Sequence, residues 1–349
     1  MKRELANGGD ERKYHKSLVF VCIGRKSVKS KNVNCPEYVM HFLREFLLLG
    51  PETDFQVDNK TTCLKFKAIL VSYLNLLLSI FSGALMKNNE NNPRIVVSVK
   101  NLSHVFSSRT GEIKALENIS IEVQKGEFIT LVGPSGCGKS TALLIIGGLL
   151  EYQEGEVCLY DMPVRKPNPE LVGFVFQETS LFPWKNAIDN VEFPLRIRGS
   201  SKEQRKCKAK ELLDMMGLGD FPDKYPYELS GGMQQRVAIA RGLIQNPQVM
   251  LLDEPFASLD EQTRTRLGFE LLRIWSQMKK TMIFVTHSLT EAVLLSQRVI
   301  VLSARPGRII DDIAIDIEYP RTYETMISER FAMLRDRIRQ LIAETEVSV

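Results

Sequence analysis

The sequence predicts an α/β fold in which short apolar strands alternate with helices, and three observations carry that prediction. "FITLV" (128–132) is an apolar, β-branched run that leads into a glycine-rich turn and then into the helical run "TALLIIGGLL" (141–150). Val249 to Leu252, inside "PQVMLLDEP", form a second apolar run that ends in two acids, Asp253 and Glu254. "MIFV" (282–285) is a third, ending beside His287. Runs of this length and composition read as buried strands, with the intervening helix packed on a sheet.

Composition sets outer bounds. The 349 residues, 44% hydrophobic and 25% charged, suffice for one large domain or two. A net charge of +4 is too small for this length to point to nucleic acid on electrostatic grounds. Cysteines 22, 35, 63, 137, 158 and 207 include no C-x-x-C pair, which argues against zinc or a disulfide framework and fits a reducing setting.

The first 93 residues read as an N-terminal extension. Basic runs such as "GRKSVKSK" (24–31) alternate with short apolar pieces without a clear period. Then "ILVSYLNLLLSIFSGALM" (69–86) runs eighteen residues without a charge between Lys67 and Lys87, borderline in length for a membrane-spanning helix. Three readings stand: upstream sequence ahead of a natural start at Met86, a membrane or amphipathic anchor, or a small accessory unit.

The glycine-rich turn is G-x-x-x-x-G-K-S, with Gly133, Gly138, Lys139 and Ser140 at the fixed positions and Pro134, Ser135, Gly136, Cys137 and Thr141 completing the loop. Strand, loop and helix in this order let the N–H groups of Gly136 to Thr141 turn onto one polyphosphate at a helix N-terminus. Lys139 would reach the β- and γ-phosphates, and Ser140 would hold Mg²⁺. Asp253, at a strand end, would hold the same Mg²⁺ through water. Glu254 would lie where a water attacks and act as general base. The expected chemistry is nucleotide hydrolysis on a P-loop NTPase fold.

Further motifs follow in a fixed order. "GFVFQETSLFPW" (173–184) reads as a strand ending at Gln177; "SKEQRKCKAKELLDMMGL" (201–218) has a helical pattern; "LSGGMQQR" (229–236) opens another helix; then come Asp253–Glu254, "ASLD" (257–260) and "IFVTHS" (283–288). This set resembles the ATP-binding-cassette (ABC) ATPases over about residues 96–310. The resemblance implies a RecA-like core lobe, an N-terminal antiparallel β subdomain and a helical signature subdomain at about 178–243, all within a cassette domain at 94–315 that is followed by a helical tail at 316–349.

The resemblance also implies roles. Two copies would pack head to tail, each ATP lying between one copy's Lys139 loop and the signature residues Leu229, Ser230, Gly231, Gly232 and Gln234 of the other. Gln177 matches the glutamine that touches Mg²⁺ and the attacking water, and His287 the switch histidine at the γ-phosphate. Asp260 matches the aspartate linking the two sites across the dimer. Phe106, in "LSHVF", matches the aromatic residue that stacks on adenine, with His104 as the fallback.

The work driven by ATP is narrowed by absences and by likeness. The chain shows no long coiled coil, no zinc pairs and no second cassette, which favours a transport subunit over a soluble cassette ATPase acting on DNA or ribosomes. "SLFPWKNAIDNVEFPLRIRG" (180–199) and "SARPGRIIDDIAIDIEYPR" (303–321) resemble the importer ATPases for nitrate, sulfonate, taurine and bicarbonate. That likeness implies separate transmembrane permease chains, with Phe182, Pro183 and Trp184 receiving a permease helix. It also implies a substrate-binding protein acting indirectly, a homodimer or a pair with a paralogous ATPase, no nucleic acid, and a peripheral place on the cytoplasmic face of the membrane. In the tail, Phe331, Leu334, Ile338 and Leu341 share one face of a helix expected at about 326–343.

Overall fold

The computed structural model describes residues 94–108 and 111–346. The apolar run at 69–86, Met86 and the rest of the expected extension at 1–93 lie outside them. In chain order the strands are β1 (Ile95–Ser108), β2 (Gly111–Gln124), β3 (Phe128–Val132), β4 (Glu154–Leu159), β5 (Met162–Pro163), β6 (Val172–Val175), β7 (Val249–Asp253), β8 (Thr281–Val285), β9 (Arg298–Leu302) and β10 (Ile309–Ala314). The helices are α1 (Lys139–Ile146), α2 (Ala187–Ile197), α3 (Lys202–Met215), α4 (Gly231–Leu243), α5 (Glu261–Met278), α6 (Leu289–Leu295), α7 (Tyr323–Met326) and α8 (Glu329–Glu346).

Two sheets result. An antiparallel sheet runs β2-β1-β4-β5 near the N-terminal end of the described chain. The second runs β10-β9-β3-β8-β7-β6; its five strands from β9 to β6 are parallel and β10 closes one edge antiparallel. Side chains alternate across each parallel strand. Phe128, Val132, Met250, Leu252, Met282 and Phe284 join one buried cluster with residues of the α2–α6 helices and α8. Ile129, Leu131, Val249, Leu251, Ile283 and Val285 join another with α1 and the antiparallel sheet. Both faces of the sheet are covered, which is why its central strands β3, β7 and β8 are buried from end to end.

Two expected elements stop early, each for a local reason. The helical run after the phosphate loop ends at Ile146 rather than continuing through 150. Gly148 sits at φ +70°, and a Cβ there would lie 2.6 Å from the Lys166 carbonyl, so the chain turns away. The strand expected to reach Gln177 ends at Val175, whose pairing with Leu252 is the last rung between β6 and β7. Gln177 is thereby left in the loop.

α2, α3 and α4 form the helical lobe. Asn186, Ser201 and Ser230 cap their N-termini, each side-chain oxygen accepting a backbone N–H three residues on. An ion pair between half-buried Arg205 Nε and buried Glu192 Oε2 (3.0 Å) joins α3 to α2.

The tail packs on the cassette. Phe331, Leu334 and Ile338 are buried in the cluster that holds Val299 and Val301 of β9, and Leu341 packs against it half-buried. Arg321 fastens this segment. Its buried guanidinium donates through Nη1 to the carbonyls of Val293 (2.7 Å), Leu294 (2.9 Å) and Ser296 (2.8 Å), and through Nε and Nη2 to Ile317 O. Those first three carbonyls belong to the end of α6, where a helix leaves acceptors unmet and favours a cation. Among the described residues no helix is long and apolar enough to cross a membrane.

Candidate functional site

β3 delivers the chain into the turn Gly133–Gly138, and α1 begins at Lys139. Gly138 is the N-cap of α1 at φ +104°, and a Cβ there would come within 2.6 Å of Leu116 Cδ2 and 2.8 Å of Ala115 O. Only glycine lets the loop pass this close to β2. Lys139 is buried, and its Nζ donates to the carbonyls of Gly133 and Pro134 at 2.9 Å each. Cys137 Sγ lies 3.8 Å from the same ammonium, its thiol pushed above the ordinary value by burial.

The end of β7 closes the floor. Ser140 Oγ donates to Asp253 Oδ1 at 2.8 Å, which joins α1 to β7 across 113 positions of sequence. Burial pushes the Asp253 carboxyl above its ordinary value and adjacent Glu254 adds to this, while the Ser140 hydrogen bond and Lys139 act against it. A hydroxyl, a carboxylate and the nearby Gln177 amide are hard oxygen donors of the kind Mg²⁺ takes. Among the described residues no cluster of three His, Cys, Asp or Glu side chains could hold a metal unaided. Mg²⁺ fits such a place, since it keeps waters and phosphate oxygens as ligands alongside one or two protein groups.

Glu254 follows at φ +42°, a conformation that costs a non-glycine residue and is held by its N–H donating to Val285 O at 3.0 Å. Its Oε2 lies 2.8 Å from His287 Nδ1, so the first residue past β7 meets the loop after β8. Lys139, Ser140, Thr141, Ser135, Gly136, Gly138, Gln177, Glu254 and Phe106 line one cavity of about 330 Å³. Phe106 is exposed at its mouth and packs edge-on against His104 at 4.5 Å. His104 is buried, which removes it as an adenine platform, and burial holds its ring below the ordinary histidine value. Gln153 steadies the strand between them, pairing with both the N–H and the C=O of Val105.

The signature turn stands on the helical lobe. Ser230 and Gly231 are exposed, whereas Gly232 is packed under Thr263 and Leu229 is buried in the core. Leu229 therefore anchors the turn, and its side chain does not present itself to a ligand. Gln234 likewise faces inward, donating to Pro226 O (2.8 Å) and Leu229 O (3.2 Å). Asp260 caps α5, accepting from Thr263 N at 2.9 Å. Farther along, Phe182 packs edge-on against Phe193 (4.5 Å) and tilted against Trp184 (5.6 Å); Trp184 is 71% exposed and Pro183 is exposed. Phe182, Phe193, Phe174 and Phe176 line an apolar cleft of about 340 Å³.

One site residue escaped the sequence reading. Arg305, in the loop after β9, donates through Nε and Nη2 to Gly136 O at 3.1 Å each and lines the same cavity as Lys139. The run "RPGR" showed it only as a mark of likeness. β9 pairs with β3, so the loops leaving both strands emerge side by side. Arg308 then pairs with Glu117 of β2, and Gly307 bonds across to Ala115 and Glu117.

The family model described as "ABC transporter" matches residues 116–257. An uncharacterized ABC transporter ATP-binding protein of Methanocaldococcus jannaschii is 51% identical over 228 residues, 65% of this chain and 85% of that protein. An aliphatic sulfonates import ATP-binding protein of Bacillus cereus is 45% identical over 246 residues, 70% of this chain and 95% of its own. Among solved structures, the dimeric post-hydrolysis state of an ATP-binding cassette bound to ADP and Pi is 35% identical, with a TM-score of 0.57. It covers 64% of this chain and 100% of that one.

Proposed function

The chain belongs to the ABC transporter ATP-binding family, whose members bind and hydrolyse ATP to power transport, and on that premise we propose that it is the energy-coupling subunit of an importer for a small anion or organic sulfonate. Relatives named for aliphatic sulfonate import support the substrate class, as does the "SLFPW" and "RPGR" likeness. Nitrate, sulfonate, taurine and bicarbonate all remain within that class.

One observation carries the catalytic reading. Glu254, His287, Ser140 and Asp253 are joined by two 2.8 Å contacts beside the buried Lys139, all around the phosphate loop. In our reading the loop N–H groups and Lys139 hold the phosphates, and Phe106 stacks on adenine. Glu254 takes a proton from water, with His287 orienting its carboxylate. Mg²⁺, held by Ser140, Asp253 and Gln177, supplies charge neutralisation on the phosphates when bound.

The exposed Ser230–Gly231 turn serves a second copy's ATP. Two chains close head to tail on two nucleotides, through contacts made only in the closed state, and that closure moves the helical lobes. Phe182, Pro183 and Trp184 then transmit the motion to a permease at the cytoplasmic face of the membrane. Residues 94–315 act as the cassette and 316–349 as its helical tail.

Affinity purification from native membranes, with the co-purifying chains identified by mass spectrometry, tests the transport assignment. A permease with several membrane helices is the expected partner. Ribosomes or DNA recovered in its place would overturn it.

A further inference from the structure

We propose that Arg264 and Glu291 are a positioning pair that ties the Ala257–Asp260 turn to His287, so that the turn meant to face the partner chain is mechanically linked to the residue that orients Glu254. The inference rests on the catalytic reading of Glu254 and His287 given above.

The link can be followed atom by atom. Arg264 lies on the first turns of α5, just past the Asp260 cap. Its Nη2 donates back to Leu259 O at 2.9 Å and reaches Ala257 O at 3.5 Å, so the guanidinium holds the turn's own carbonyls. Its Nε lies 3.4 Å from Glu291 Oε1. Glu291 is on α6 and only 6% exposed; its other oxygen, Oε2, accepts from Thr286 Oγ1 at 2.6 Å. The Thr286 hydroxyl in turn accepts from Ser288 N at 3.0 Å, so both neighbours of His287 are gripped through one carboxylate. His287 Nδ1 then meets Glu254 Oε2 at 2.8 Å.

Burying a carboxylate opposite a guanidinium is costly, and an apolar pair of similar volume would often stabilise a core as well or better. Burial raises the Glu291 carboxyl above its ordinary value; the Thr286 hydrogen bond and the Arg264 charge oppose this, and the charges of His287 and Glu254 are also felt there. What an apolar pair could not do is fix two loops at once. A planar fork can hydrogen-bond the carbonyls of a turn on one edge while standing as an ion-pair partner to a carboxylate on the other, whereas a lysine ammonium offers a single point charge.

The test compares Glu291→Gln, Arg264→Lys and the double variant in ATPase assays, with nucleotide binding followed by a fluorescent ATP analogue and with Glu254→Gln as control. Each single variant should bind the analogue normally, leave KM unchanged and lose about tenfold in kcat. The double variant should lose no more than either single one, because both cut the same link. A merely electrostatic role would let Arg264→Lys restore the wild-type kcat, and that result would overturn the proposal, as would additive losses in the double variant or unchanged kcat in the singles. If Glu291→Gln does not fold, Arg264→Lys, altered at a partly exposed side chain, reads the same link through kcat and KM. Full activity in Glu254→Gln would sink the catalytic reading itself, whereas an inactive Glu254→Gln beside additive Arg264 and Glu291 losses sinks the linkage alone.

Discussion

Glu254 and His287 stand 2.8 Å apart, carboxylate oxygen to ring nitrogen, although 33 positions separate them in the chain. Neighbouring parallel strands bring them together: β7 and β8 pair up to Asp253↔Val285, so whatever follows each strand leaves the sheet on the same side. In the reading proposed above, Glu254 is a general base and His287 its orienting partner, the arrangement that water activation needs.

Glu254→Gln keeps the side chain's shape and removes its basicity. ATP binding should persist while kcat falls by at least ~10²-fold, the usual contribution of a positioned base. Single-turnover kinetics with stoichiometric ATP read binding and chemistry separately. A turnover rate near wild type would contradict the role given to Glu254.

Lys139→Ala deletes the buried ammonium that bonds Gly133 O and Pro134 O at 2.9 Å each. Loss of nucleotide binding, measured by equilibrium dialysis, is expected, because those carbonyls then lie beside the phosphates without a cation. An unchanged binding curve would count against the assignment.

Much of the grouping around the phosphate loop is legible in the sequence, and for a definite reason. The phosphate loop, Asp253, Glu254 and His287 all lie at the ends of short, largely apolar and fully buried strands. Strand ends can be read from composition, and in a parallel sheet they gather on one side. Arg305, Arg264 and Glu291 could not be found that way. Arg305 reaches Gly136 only because β9 pairs with β3, a long-range fact that no local pattern encodes. Arg264 and Glu291 are charged residues on helices, where the default expectation is a solvated face. The inward turn of Gln234 and the burial of Leu229 were hidden likewise, since the signature motif fixes residue types and not which of them faces out.

Arg305→Ala should test how far the loop after β9 supports the phosphate loop. With two hydrogen bonds to Gly136 O removed, ATP affinity should weaken by about tenfold, in line with about 1.5 kcal/mol for hydrogen bonds from a charged donor. Isothermal titration calorimetry gives the answer directly, and unchanged affinity would show the contact to be idle.

Stability should depend on pH through His104. Burial holds its folded-state value below the ordinary 6.5, so the unfolded chain takes up its proton first as the solution is acidified. Its contribution is therefore complete above about pH 6.5 and is lost as pH falls through the lower folded value. Urea titrations at steps between pH 7.5 and pH 5 should show wild-type stability falling more steeply than that of His104→Gln. Parallel slopes would rule this out.

Arg321→Gln should loosen the tail. Three carbonyls at the end of α6 lose a buried charged donor, at a cost of about 3 kcal/mol. Because α6 begins just after His287, thermal melting and ATPase rate should decline together; a wild-type melting temperature would contradict the anchoring role.

The most direct test of the central claim, that each reaction centre is built from two chains, mixes two inactive variants. Lys139→Ala lacks a working phosphate loop, and Ser230→Arg blocks the turn offered to the partner. Alone, each should be inactive. Mixed, heterodimers regain one intact centre, formed by the loop of the Ser230→Arg chain and the turn of the Lys139→Ala chain, and ATPase activity should return to a measurable fraction of wild type. A mixture as inactive as its components would contradict the account.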